Sequence, residues 1–105
     1  MTPYCSIKIS APTEEEAHRI SKSLIEQKLV AGTMIYNGNC HYWWDGKVVE
    51  RMYWNIGAFS LMDKKDQIIS EVRKLHSDTC PIIAFTEIDG NEEFLQWITE
   101  SVKEA

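Results

Sequence analysis

The sequence has no block of lysines and arginines, and its formal net charge is −5. Broad binding to nucleic acid or to an anionic membrane is therefore not expected, because both depend on a basic surface that neutralises phosphates. No apolar run approaches the roughly 18 residues that a membrane-spanning helix needs. The opening MTPYCSIKIS lacks a basic segment followed by a long apolar one, so it reads as a first strand and not as a secretory signal. Cysteine is scarce: Cys5, Cys40 and Cys80 lie far apart and are odd in number. A disulfide framework is not expected, and a reducing cytoplasm is the simpler setting. Nor is there a P-loop, a Ser-His-Asp order or a paired-carboxylate motif, so nothing marks an enzyme. Cys80 with His76 or His41 is an arithmetically possible nucleophile pair, but no feature signals a lowered thiol pKa.

What is present is an ordinary globular composition, with 44% apolar and 26% charged residues in 105. One domain over residues 1–105 is expected, with a modest core to which association between copies would add burial. Cys5, Ile7 and Ile9 alternate with Tyr4, Ser6, Lys8 and Ser10, the pattern of a half-buried strand. Thr13-x-x-Glu16 reads as a capping box, and Ala17, Ile20 and Leu24 follow at helical spacing towards Lys28. Residues 30–44 are extended in character, and Asn37-Gly38 predicts a bend or bulge within them. Asp45-Gly46 is a strong hairpin signal, because a type I′ turn needs positive φ at both central positions. With a two-residue loop, Trp44 faces Lys47, Trp43 faces Val48, Tyr42 faces Val49 and His41 faces Glu50.

After a return strand over 47–60, Asp63 is the predicted N-cap of a second helix bearing Ile68, Val72 and Leu75 and ending near His76-Ser77. Ile82-Ile83-Ala84-Phe85 predicts a short buried strand. Asp89-Gly90-Asn91 then turns the chain into a last helix, with Glu92 and Glu93 at its positive end and Phe94, Ile98 and Val102 packed. The order predicts a ferredoxin-like α+β sandwich, βαββαβ, with a long central hairpin and a C-terminal helix. Strands of about 14 residues far exceed the usual five or six, so another chain is expected to cover the ribbon.

Four segments carry a family resemblance. "APTEEEAHRISKSLIEQKLVAG" is similar to the opening helix of the CutA (CutA1) divalent-cation tolerance proteins, and "YWWDGKV" to their hairpin signature "YWWEGK". "VRKLH" is similar to the approach to their "HPY" turn, and "IIAF" with "DGNEEFLQWI" to their closing segment. The resemblance covers nearly the whole chain. It implies a homotrimer akin to the PII signalling proteins and a response to copper or another divalent metal. Departures are also plain. Ala31-Gly32 stands where the family reads Ala-Cys, and Met34-Ile35-Tyr36-Asn37-Gly38 stands where "NIIPG" is common. The segment 76–81 lacks the Pro-Tyr pair and the glutamate after the proline, and Phe59-Ser60 replaces Lys-Thr at the end of the return strand.

For the implied metal, thiolate and imidazole ligands suit Cu(I) or Zn(II). The strongest cluster is His76-x-Asp78-x-Cys80, and His41 comes next; the alternative is helix-end polar residues at His76 and a surface ion pair between His41 and Glu50. There is no CxxC or HxxxH, and Cys5 is expected to be a core thiol. A second function is a PII-like sensor of a small anionic ligand in clefts between subunits, lined by Tyr36, Trp43, Lys47, Arg51 and Tyr53. Against it stands packing alone for the aromatic residues, with Tyr42 and Trp44 as assembly contacts.

Overall fold

The computed structural model describes residues 3–102. Its elements are β1 (Tyr4–Ala11), α1 (Glu14–Glu26), β2 (Gly32–Trp44), β3 (Lys47–Leu61), a 3-10 turn (Met62–Lys64), α2 (Lys65–Leu75), β4 (Ile82–Ile88) and α3 (Glu92–Val102). The strands form one antiparallel sheet in the order β2-β3-β1-β4, the ferredoxin-like arrangement expected, with α3 added.

Alternation along the strands divides the sheet. Cys5, Ile7 and Ile9 of β1 lie opposite Ser60, Ala58 and Ile56 of β3. These residues pack against Ala17, Ile20 and Leu24 of α1 and Ile68 and Val72 of α2, which form one buried cluster. This is the helix face. Tyr4, Ser6, Lys8 and Ser10 point the other way, onto a face that α3 covers at one end only. There Phe94 meets Phe59 edge-on at 4.9 Å, and the hydroxyls of Tyr4 and Thr99 lie 2.8 Å apart.

The hairpin has the predicted turn and register. Asp45 (φ 52°) and Gly46 (φ 75°) both adopt the left-handed region, and the pairs Trp44–Lys47 through His41–Glu50 follow. No bulge interrupts β2: its pairing with β3 is continuous from Gly32–Phe59 to Trp44–Lys47. Gly38 keeps a negative φ in this straight strand, so it places a missing side chain opposite Tyr53 rather than a bend. The strands run to 13 and 15 residues, and the last β1 partner of β3 is Trp54. Beyond that point the ribbon has no third strand among the described residues, and the molecule measures 43 × 24 × 21 Å.

Two further expectations are corrected. Asp63 lies inside the 3-10 turn, and α2 has no side-chain cap; the amide of Lys65 bonds to the Met62 carbonyl as the turn winds straight into the helix. The β4 strand is not buried but lies at the sheet edge, with Ile83 and Phe85 against the core and Ile82 and Ala84 exposed on the open face. Its run of apolar residues serves two faces, only one of which this chain covers.

Gly32 is held to its size by α3. A Cβ there would lie 2.7 Å from Cη2 of Trp97, whose ring lies over the strand. Because that ring is 44% exposed it has room to swing outward. Gly32→Ala is expected to cost about 1 kcal/mol in urea denaturation through overpacking, and nearly nothing in a Trp97→Leu background. Additive costs would contradict this packing.

Candidate functional site

The loop after α2 receives polar contacts from β1, α1 and β3. His76 caps α2, its amide bonding to the Val72 carbonyl at 2.8 Å, and its ring is buried beneath the end of β1. Nε2 lies 2.6 Å from the carbonyl oxygen of Ser10, so it carries the ring proton and donates it. Nδ1 accepts from the Asp78 amide at 3.1 Å. Both ring nitrogens are thus used within the chain. Glu16, 5% exposed, accepts from the Ser77 amide at 3.1 Å and lies 3.6 Å from His76 Nδ1. Half of the capping box forms, with Thr13 Oγ1 accepting from the Glu16 amide at 3.2 Å. The glutamate side chain joins α1 to this loop instead of turning back.

Asp78 does not turn towards Cys80. It faces Tyr53, whose hydroxyl donates to Asp78 Oδ2 at 3.5 Å and lies 3.1 Å from the hydroxyl of Tyr42. Arg51 stands over the Tyr53 ring at 5.1 Å. Donor and acceptor chemistry fixes the direction: a carboxylate only accepts. Because Tyr53 gives its proton to Asp78, the chain runs from Tyr42 to Tyr53 to Asp78, with Arg51 over the Tyr53 ring. Burial above all, together with the negative charge of Asp78, pushes the Tyr53 phenol up to about 12, with Arg51 opposing.

The other sequence candidates are dispersed. Among the described residues no group of three or more His, Cys, Asp and Glu could hold a metal ion. Cys80 is exposed, and Cys40 points to the Gly38 carbonyl at 3.9 Å. Cys5 is the buried core thiol expected, its pKa raised chiefly by burial. His41 Nε2 meets Glu50 Oε1 at 3.0 Å, the cross-strand pair anticipated. Tyr36, Tyr42, Trp44, Lys47, Arg51 and Tyr53 share the open face, whereas the register puts Trp43 with Val48 on the other side. The expected single cleft wall of Tyr36, Trp43, Lys47, Arg51 and Tyr53 thus loses Trp43.

The open face also carries a trough of about 670 Å³, with Lys8 on its floor and Met34, Tyr36, Phe59 and Trp97 around it. Sequence reasoning missed Lys8, Trp97 and the role of Glu16. Only Lys8 had left a signal, as a charge midway along an otherwise uncharged strand face.

A family model described as CutA1 divalent ion tolerance protein matches residues 5–101. The chain belongs to this family. It is 38% identical over 98 residues to a divalent-cation tolerance protein CutA of Archaeoglobus fulgidus, covering 92% of this chain and 96% of that one. The solved A. fulgidus CutA structure superposes with a TM-score of 0.92 at 37% identity, over 95% of this chain and 99% of the other. A CutA1 structure from Thermus thermophilus gives 0.91 at 30% identity over the same shares.

The A. fulgidus protein is described as periplasmic, so the expected cytoplasmic location does not stand. The premise was too weak: unpaired cysteines exclude a disulfide framework, not a compartment. No helix among the described residues is long and apolar enough to cross a membrane.

Gly32 lies under the Trp97 ring, so an indole occupies the space a larger side chain would take.

Tyr53→Phe removes the middle of the polar chain and is expected to cost about 1–2 kcal/mol and to speed amide exchange at Ser77 and Asp78. In an alkaline spectrophotometric titration one phenol should titrate near 12 and be missing from the variant. The sign follows from a pKa raised by folding: this stabilisation is complete below about pH 10 and is lost as pH rises through about 12. Four phenols titrating together near 10 would contradict the arrangement.

Proposed function

We propose that this chain acts as a homotrimer in the response to divalent metal ions, binding a metal ion or a small effector without catalysing a reaction. The observation that carries the assembly is the unfinished sheet. Its helices leave most of one face uncovered, with Met34 71% and Trp44 51% exposed, while among the described residues β2 and β4 each keep a free edge. A head-to-tail contact from the edge of one copy to the edge of the next closes into a ring when the rotation allows it, and the ring covers such a face. The family resemblance gives three as the number of copies.

The metal role rests on family membership and on relatives from A. fulgidus and T. thermophilus named divalent-cation tolerance proteins. Of the ligands first weighed, His76 is engaged on both nitrogens, so a metal at the 76–80 loop would have to displace the Asp78 amide. Cys80 and His41 stand at the surface and remain open to copper or another divalent ion.

A second reading, a sensor of a small anionic ligand held between subunits, is favoured by one feature. In a protein of net charge −5, the charged side chains that the strands place on the open face are Lys8, Lys47 and Arg51, all cationic. Titration calorimetry with Cu(II), Cu(I) and Zn(II), set beside a nucleotide panel, separates the two. Saturable metal binding supports the first reading. Metal indifference with nucleotide binding would replace it by the second.

A further inference from the structure

Small residues around one lysine build the trough on the open face. Across the sheet, Lys8 of β1 lies between Gly57 of β3 and Ala84 of β4, and its neighbours along the same face of β1 are Ser6 and Ser10. None of these four side chains is long enough to cover the ammonium, so the floor stays open beneath a space of about 670 Å³. Rings stand at its edges: Tyr36 on β2, Phe59 on β3 and Trp97 on α3. Lys8 is the one charged side chain in the lining, and no carboxylate is paired with it among the described residues. Gly57 shows that the space is not left by local necessity. Its φ is outside the left-handed region, and a Cβ there would lie 3.8 Å from Cε1 of Tyr36 and 4.0 Å from the Met34 carbonyl oxygen, both ordinary contacts. Neither the backbone nor the packing of one chain asks for glycine here, yet any larger residue would raise the floor beside Lys8.

We propose that this trough binds a small aromatic monocarboxylate, with the carboxylate on Lys8 and the ring among Tyr36, Phe59 and Trp97. Ligand pockets commonly span about 300–1,000 Å³, with apolar and aromatic walls and a few polar groups that fix orientation. The charge count sets the class of ligand. One ammonium, with the opposed hydroxyls of Ser6 and Thr86 in the next row, suits a single negative charge. A di- or triphosphate would bring more charge than this lining offsets, and a neutral ring would cover the ammonium without pairing it. The inference rests on the second reading above, a sensor of a small anionic ligand, and gives that ligand a class and a place. A neighbouring copy laid over this face would roof the trough.

The test is calorimetric titration of the full-length protein with 2-naphthoate, its neutral amide and a nucleotide panel, with light scattering on each variant. The wild type is expected to bind 2-naphthoate saturably and the amide about tenfold more weakly. Lys8→Met keeps the length of the side chain without its charge, and it should lose about tenfold in affinity for the acid and bind acid and amide alike. Gly57→Val fills the floor and should abolish binding. Lys22→Met, exposed on α1 and outside the trough, should bind as the wild type does. Should Gly57→Val fail to fold by circular dichroism, Gly57→Ala takes its place, with weakened binding expected. Wild-type affinity for 2-naphthoate in Lys8→Met would overturn the site. Nucleotide binding without 2-naphthoate binding by the wild type would overturn the trough and leave the anionic-ligand reading standing, whereas binding of neither would overturn both. A wild type that ignores 2-naphthoate while Gly57→Val changes the molar mass would give the trough to a second copy and overturn the ligand.

Discussion

Positive φ at Asp45 and Gly46 sets the register of a ribbon 13 and 15 residues long, and a one-residue slip would turn every side chain of it over. The two faces of the molecule follow from that pair. With the observed register, Ile35 lies opposite Ile56 and Thr33 opposite Ala58 over the helices, so the core closes. The same register puts Tyr42 and Arg51 on the side of Tyr53, which makes the polar chain to Asp78 possible. It also puts His41 opposite Glu50, on the reverse side of the ribbon.

The polar contacts explain how the hairpin is held to the rest of the domain. Arg51, Tyr42 and Tyr53 belong to the ribbon and Asp78 to the loop after α2, while Glu16 of α1 reaches the same loop through the Ser77 amide. His76 ties the loop to the end of β1 through Ser10. A buried imidazole with both nitrogens satisfied fixes backbone, and this one fixes the junction of β1, α1 and α2. That role is structural within a single chain. It leaves ligand chemistry to side chains nearer the surface.

Local signals were enough for much of the fold. The β1 alternation, the Ala17-Ile20-Leu24 stripe and the Asp45-Gly46 turn each state one choice that tertiary packing then agrees with. Asn37-Gly38 misled because glycine can mark a bend or simply sit within a strand, and the continuous pairing with β3 shows the second. Ile82-Ile83-Ala84-Phe85 misled because an edge strand that faces a core on one side and an open face on the other is as apolar as a buried one. The candidate site was less legible. That His76 meets Ser10 and Glu16 meets Ser77 depends on pairings more than sixty residues apart, and no spacing along the chain encodes them. The Gly32–Trp97 packing has the same character: each residue is explained only by the other.

A single copy leaves a largely uncovered sheet face, two free strand edges among the described residues and a ribbon bearing Trp43 at 74% exposure, and large exposed apolar patches commonly mark contact surfaces. Further copies of this chain are proposed to cover it. Light scattering on the purified full-length protein at micromolar concentration tests this most directly. The molar mass of three chains is expected; the mass of one chain would contradict the assembly.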